Sequence, residues 1–348
     1  MKTILVTGGT GFIGSHTCTQ LLLEKYKVVI IDNLDNSTLD VLDSIKEISS
    51  SNNIDFFKRD LSIDNCNDIF KKYEFYAVIH FAGLKSVGES VKNPLKYYEI
   101  NINSTINLLK LMQNNNCKKL IFSSSATVYG DSCPPFDEKT EIGRGITNAY
   151  GKTKFMIEEI LQDYSKANED FDIVILRYFN PIGAHPSGLL GDNPNNIPNN
   201  LMPYILKVAY KNNIDESING YDYLSIFGNN YNTKDGTCMR DYIHVLDLAD
   251  SHVLSLKKMK DFKKRYNIFN IGLGKGVSVL ELVKIFEKVN NTKIPYVISS
   301  KREGDIPISY CTTDLSQKYL EFYPKKKIED MCKDAWNFQL KFNKKNLN

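Results

Sequence analysis

Gly8-Gly9-Thr10-Gly11-Phe12-Ile13-Gly14 is the stretch that decides how this chain folds. The apolar run Thr3-Ile4-Leu5-Val6 leads into it, and Ile13, Thr17 and Leu21 follow at the four-residue spacing of a helix face. Glycines placed between a strand and a helix in this way have separate duties. One makes a tight turn, one lets the backbone touch a pyrophosphate, and one allows close helix–strand packing. The amides left free at the helix start then face the anion. Four more runs, Val28-Val29-Ile30-Ile31, Ala77-Val78-Ile79, Leu120-Ile121-Phe122 and Ile173-Val174-Ile175-Leu176, are rich in β-branched residues and nearly continuous. Such strands alternating with helical patterns predict an α/β fold, a doubly wound parallel sheet of the Rossmann type.

Length and composition bound the rest. The 348 residues suffice for two units, and 42% hydrophobic with 24% charged residues is ordinary for a globular enzyme. A net charge of +3 leaves no broad electrostatic footprint for nucleic acid, so an anionic ligand has to be met by a few local arginines. Seven cysteines are scattered without a CxxC pair, which suits reduced thiols in a reducing compartment. Five histidines form no HxxxH pair, and no metal site is expected. The chain runs from Met1 straight into the first strand, and no apolar run reaches the length of a bilayer span. The expectation is a cytoplasmic protein with no membrane association. After Asn180 the chain becomes loop-rich, with Pro181, Pro186, Pro194, Pro198 and Pro203, so a boundary is placed there. Further on, Ser278 and Glu281 predict a capping box, with Val279, Leu282, Val283 and Phe286 as the helix's apolar stripe.

Asp32 ends the second strand. A carboxylate there accepts hydrogen bonds from ribose hydroxyls and repels a 2′-phosphate, which predicts NAD over NADP. Asp60, further along, is a candidate partner for the adenine amino group. Well downstream, Tyr150-Gly151-Lys152-Thr153-Lys154 sets a phenol and an ammonium one helical turn apart. A free tyrosine titrates near ~10 and is a poor base at neutral pH. Positive charge from Lys154 and from an oxidised nicotinamide is expected to lower it. Ser125, in Ser123-Ser124-Ser125-Ala126-Thr127, can hydrogen-bond the reacting hydroxyl. Tyr150, Ser125 and Lys154 are therefore the candidate catalytic residues.

At this point the residues carry a resemblance. His80-Phe81-Ala82-Gly83-Leu84-Lys85, Phe122 through Gly130, Arg177-Tyr178-Phe179-Asn180-Pro181 and Gly183 through Gly188 are its most specific strings. To these add Asn199-Asn200-Leu201-Met202-Pro203-Tyr204, Arg240-Asp241-Tyr242-Ile243-His244 and Arg302-Glu303-Gly304-Asp305. Over essentially its whole length the chain resembles the extended short-chain dehydrogenase/reductase family, and within it the UDP-hexose 4-epimerases. The resemblance implies an NAD-binding unit over residues 1–180, to which a stretch near 238–272 returns, and a UDP-sugar-binding unit over 181–345. It implies NAD contacts from Gly8, Gly11, Phe12, Ile13, Gly14, Asp32, Asn33, Asp60, Leu61, Phe81, Ala82, Gly83, Lys85, Asn101, Ser125, Tyr150, Lys154 and Phe179. It also implies UDP-hexose contacts from Lys85, Ser125, Tyr150, Asn180, Asn200, Leu201, Ser225, Ile226, Phe227, Arg240, Arg302, Asp305 and Ser309, with the two arginines on the diphosphate. The implied reaction moves the proton of the sugar 4-hydroxyl to Tyr150 and hydride from C4 to NAD, turns the 4-keto sugar, and returns the hydride to its other face. A homodimer is implied as well.

Departures from the family pattern sharpen the expectations. Ser104 stands where glycine is common, and residues 210–222 lack a usual Gly-Arg-Arg run. Ser309 replaces a bulky tyrosine beside the hexose, leaving volume for an N-acetyl group, so UDP-GlcNAc and UDP-GalNAc are expected as further substrates. Among rival readings, 4,6-dehydratases of this fold carry an Asp-Glu pair where this chain has Ala126-Thr127. A net dehydrogenase would release reduced cofactor. A non-catalytic NAD-sensing protein would lack the tyrosine or the lysine.

Overall fold

Seven parallel strands form the main sheet of the computed structural model, which describes residues 1–194, 200–217, 220–302 and 305–347. In chain order the strands are β1 (Thr3–Thr7), β2 (Lys27–Asp32), β3 (Ile54–Lys58), β4 (Phe75–His80), β5 (Lys119–Ser123), β6 (Asp172–Tyr178), β7 (Asn180–Ile182), β8 (Leu224–Phe227), β9 (Met239–His244), β10 (Tyr266–Ile271), β11 (Gly276–Ser278), β12 (Tyr296–Ser299) and β13 (Ile308–Ser309). The helices are α1 (Phe12–Leu23), α2 (Asp40–Ser49), α3 (Asn67–Lys72), α4 (Val87–Lys92), α5 (Pro94–Asn114), α6 (Ala149–Ala167), α7 (Leu201–Asn213), α8 (Val245–Lys258), α9 (Val279–Asn290) and α10 (Ile328–Leu347). The large sheet has the order β10-β6-β5-β4-β1-β2-β3. Its direction of winding reverses between β1 and β4, and the carboxyl ends of those strands open the crevice where such folds bind ligands.

The near-continuous apolar strands are explained by their two covered faces. Ile4, Val6, Val28, Ile30, Ile79 and Val174 turn one way and pack with Cys18 and Leu21 of α1 and Leu248 of α8. Their alternate neighbours Leu5, Val29, Ile31, Val78 and Ile175 turn the other way, against Leu108 and Met112 of α5 and Ile157 and Leu161 of α6. The outer strands read differently. In β3, Asp55 and Lys58 interrupt the apolar residues, because an edge strand is only partly covered.

Residues 245–271, α8 and β10, return to the large sheet, whereas β9 belongs to a smaller one. There β9 pairs with β11 antiparallel and with β7 and β13 parallel. A third apolar cluster joins α7, α9 and α10 around Leu206, Leu282, Phe286 and Trp336. The capping box expected at the start of α9 is complete, with the Ser278 side chain on the Glu281 amide and the Glu281 carboxylate on the Ser278 amide. Among the described residues, no helix is long and apolar enough to cross a membrane. All seven cysteines are free thiols, Cys133 being exposed and the other six buried.

Candidate active site

The glycine turn is built as its sequence requires. Gly8 has φ +69°, and a Cβ there would lie 2.7 Å from the Ala82 nitrogen. At Gly14 a Cβ would come within 2.2 Å of the Gly8 carbonyl oxygen, so only glycine lets α1 start this close to β1. No side chain caps α1, leaving its first amides and the positive end of its dipole for an anion. Asp32 accepts the Thr10 amide at 3.1 Å and the Leu34 amide at 2.9 Å, which fastens the turn to the end of β2. Asn33 donates to Asp60 at 2.9 Å. Burial pushes the Asp60 carboxyl up, but hydrogen bonds from Ser62 and Asn33 outweigh it and hold it below the usual carboxylate range. An uncapped helix start, a tight glycine cradle and an acid at the ribose position fit a dinucleotide.

A cleft of about 640 Å³, open to solvent, runs past Thr10, Phe12 and Ser15 toward Lys85 and Asp192. Asn36, Ser37 and Thr38 line it too, and Ser37 Oγ lies 2.6 Å from Thr10 Oγ1. The sequence reading did not single these three out, although a short polar loop directly after Asp32 was a usable signal. Asp192 was also missed; its carboxylate sits 3.6 Å from the Lys85 ammonium, across the cleft. Not every expected contact has a free side chain. The Asn101 amide is spent on both main-chain groups of Leu84 and on Thr153, bracing the loop after β4. Ser104, in place of a common glycine, is buried and bonds back to the Asn101 carbonyl at 3.0 Å. Leu61 is in the core, and Phe179 is buried in a stack with Tyr129 and Phe136. Phe81, Ala82 and Gly83 follow β4 at the mouth, where the Phe81 amide bonds the Thr7 carbonyl.

Ser125, Tyr150 and Lys154 converge as a buried group. Asn148 caps α6 by accepting the Gly151 amide at 2.8 Å, which fixes Tyr150 in the first turn. Lys154 Nζ donates to the Ser123 carbonyl at 2.8 Å, lies 4.8 Å from the Phe122 ring centroid, and lies 5.9 Å from that of Tyr150. Burial lowers the Lys154 ammonium to about 8, with Glu158 pushing the other way. Tyr150 is set by its burial in the protein alone. Burial drives its phenol well above the ordinary tyrosine value, Tyr178 adds to the rise, Ser125 opposes it through a hydrogen bond, and Tyr97 adds further. Desolvation outweighs the Ser125 hydrogen bond, and the Lys154 ammonium is turned to the Ser123 carbonyl.

The expected UDP-hexose contacts come from distant segments. Arg240 donates through Nη1 to the carbonyls of Met239 and Ile306, each at 2.9 Å, and its Nη2 lies 3.6 Å from Asp305. Asp305 also bonds the Arg302 carbonyl through its amide, at 3.3 Å, so one turn ties the two arginines together. The Arg302 guanidinium rests 3.8 Å from the Phe227 ring centroid. Ser309 is buried and pairs with Arg240 across β13 and β9. Along β8, Leu224 and Ile226 point into the third core while Ser225 and Phe227 turn away. Any contact from Ile226 is thus left to its main chain. Asn180 opposes Tyr242 in β7 and β9, and Asn200 stands at the start of α7 before Leu201. Pro198, Asn199, Glu303 and Gly304 of the quoted strings, and positions 218 and 219 of the 210–222 segment, lie outside the described residues. His185 makes a local bond, its Nδ1 2.8 Å from Ser187 Oγ.

A glycine cradle at the switch point of a parallel sheet, beside a buried serine, tyrosine and lysine, defines a Rossmann-type NAD enzyme. The chain belongs to the NAD dependent epimerase/dehydratase family, whose model matches residues 4–272. It is 47% identical to a UDP-glucose 4-epimerase of Cyamopsis tetragonoloba, over 98% of this chain and 95% of that one. With a UDP-glucose 4-epimerase of Bacillus subtilis the identity is 46%, over 97% and 96% of the two chains. The crystal structure of the UDP-glucose 4-epimerase of Bifidobacterium longum, in complex with NAD+ and UDP, superposes with a TM-score of 0.91 at 42% identity, covering 98% of each chain.

Proposed function

We infer that this chain interconverts UDP-glucose and UDP-galactose by inverting the configuration at C4. The observation that carries the reading is the buried Ser125–Tyr150–Lys154 group beside the dinucleotide cradle, in a chain alike along its whole length to UDP-glucose 4-epimerases. The amides at the start of α1 and Asp32 would hold NAD, which when bound would supply a positive ring charge and a hydride acceptor and donor for C4. Tyr150 takes the 4-hydroxyl proton and gives it back, and Ser125 bridges phenol and substrate oxygen. As the phenol stands high in the protein alone, its use as a base is tied to positive charge arriving with the oxidised ring. Lys154 holds the local charge, and Arg240 and Arg302 grip the diphosphate through their planar guanidinium groups. Binding energy is thereby drawn from the non-reacting end of the substrate, and the hexose is left able to turn. Incubation with UDP-galactose tests the reading: UDP-glucose is expected without stoichiometric NADH in solution, and release of NADH or absence of UDP-glucose overturns it.

Two finer readings accompany it. Small Ser309, beside Arg240, supports turnover of UDP-GlcNAc and UDP-GalNAc; good activity on UDP-galactose with none on UDP-GalNAc removes that extension. A homodimer in the cytoplasm is supported by Val87, Val91, Leu95 and Met156, exposed apolar residues of the mutually packed α4, α5 and α6, and by the free thiols. Light scattering on the purified chain checks its mass.

A further inference from the structure

Helix α6 repeats its four-residue spacing once more than the site uses. After Tyr150 and Lys154 comes Glu158, 1% exposed, ion-paired to Arg177 of β6, which is 2% exposed. Arg177 Nε lies 3.1 Å from both carboxylate oxygens and Nη2 lies 2.6 Å from Oε2. Ser124, the residue before Ser125, donates its hydroxyl to Oε1 at 2.5 Å. On the far side Arg177 Nη1 meets the Tyr129 hydroxyl at 3.2 Å, and that hydroxyl donates to Asn270 at 2.6 Å. A buried ion pair is poor value as a source of stability, because desolvation consumes most of the attraction and an apolar pair of equal size does as well. Its location is informative instead. The elements it joins are α6 with Tyr150 and Lys154, the end of β5 with Ser125, and β6 just before Tyr178, Phe179 and Asn180.

Charge points the same way. The groups around Lys154 are Tyr150 and Glu158 on its own helix, the Phe122 ring and Ser123 carbonyl on β5, His80 on β4, and Arg177 on β6 behind Glu158. His252 of α8 reaches Ser123 Oγ at 3.4 Å. Burial lowers His80 to about 3 and His252 to about 4, so both are neutral near pH 7. Glu158 is the carboxylate that favours the ammonium.

We propose that Glu158 is a positioning residue for the epimerisation: clamped by Arg177, its carboxylate anchors Ser124 beside Ser125 and places a negative charge one helical turn from Lys154. The proposal rests on the epimerase reading, which the wild-type control tests separately.

Three variants and a pH profile decide it. Glu158→Gln keeps the size and a hydrogen-bonding side chain but leaves Arg177 unbalanced. Its kcat with UDP-galactose is expected to fall about tenfold or more, with KM moved less than about threefold. Lys154 should then lose its proton at lower pH, so the alkaline limb of kcat moves down by about half a unit or more. Arg177→Met leaves Glu158 unbalanced, and the limb is expected to stay or move up. Ser124→Ala removes a bond without charge, lowering kcat a few-fold with the limb in place. A merely structural role predicts lower thermal midpoints in all three with unmoved limbs, and that result overturns the proposal, as does wild-type kcat in Glu158→Gln. If Glu158→Gln does not fold, the Arg177→Met limb and the Ser124→Ala rate decide, and a downward limb or an unchanged rate overturns it. Bound NAD per chain, measured after denaturation, is expected to be unchanged and serves as the readout apart from activity; its loss means Glu158 acts on the fold. Absence of epimerisation by the wild type instead defeats the functional reading itself.

Discussion

The two halves of the candidate site are made of different materials. On the cofactor side the protein offers main chain: free amides at the start of α1, glycines at Gly8 and Gly14, and one acid at the end of β2. The half proposed for the substrate offers long side chains, Arg240 and Arg302, carried on β9 and on the segment before β13 and tied together by Asp305. Main chain at a tight turn tolerates no added atom, whereas a guanidinium at the end of a flexible stem can lose one contact and keep others. The first half should therefore fail abruptly when altered and the second by degrees.

The sharpest way to break this contrast is Gly14→Ala. A methyl group 2.2 Å from a carbonyl oxygen forces the helix away from the turn, and the purified variant is expected to retain almost no NAD, measured by nucleotide release on denaturation. Full NAD content would mean that the turn yields. Next comes the proposed base: Tyr150→Phe is expected to lose at least ~100-fold in turnover of UDP-galactose while keeping its NAD. Equal activity would remove Tyr150 from the chemistry.

Smaller effects separate the two arginines. Arg240→Met loses a partly buried cation held by two carbonyls, and KM for UDP-galactose should rise about 10- to 100-fold. Arg302 is exposed and stacked on Phe227, so Arg302→Met is expected to raise KM about tenfold or less. Reversed ranking in steady-state kinetics would contradict the grading by burial. The mildest test concerns pH. Burial lowers His16 and His80 to about 3 and His252 to about 4, from an ordinary 6.5. Between about pH 6.5 and these values the unfolded chain binds protons that the folded one does not, so stability is full above 6.5 and drains as pH falls. Each histidine contributes a loss approaching about 1.4 kcal/mol per pH unit. Urea unfolding at pH 7.5 and 5 should differ by a few kcal/mol, and equal midpoints would mean these rings take up protons in place.

How legible the site was follows the same divide. The glycine turn, its strand and helix, Asp32 and the pairing of Tyr150 with Lys154 are each written within a few residues, because local turn geometry and helical spacing need no distant partner. What the sequence leaves unread lies where burial or long-range contact decides. Nothing local says that Lys154 turns to the Ser123 carbonyl while desolvation lifts Tyr150, or that Asn101 spends its amide on Leu84 and Thr153. Nor does the 85-to-192 pairing across the cleft appear in any window of sequence. The partly covered outer strands β3 and β10 were faint for a related reason: polar residues interrupt the apolar pattern.

By itself the sequence determined a parallel α/β sheet, a backbone seat for a dinucleotide and a serine, tyrosine and lysine capable of acting on an alcohol. These follow from steric and periodic rules that act along the chain. Only the tertiary structure decided which charges stand alone and which are answered, how Arg177 and Glu158 knit three elements beneath Tyr150, and which named side chains remain free for a ligand. Those outcomes depend on solvent exclusion and on through-space distance, and both exist only once remote segments have packed.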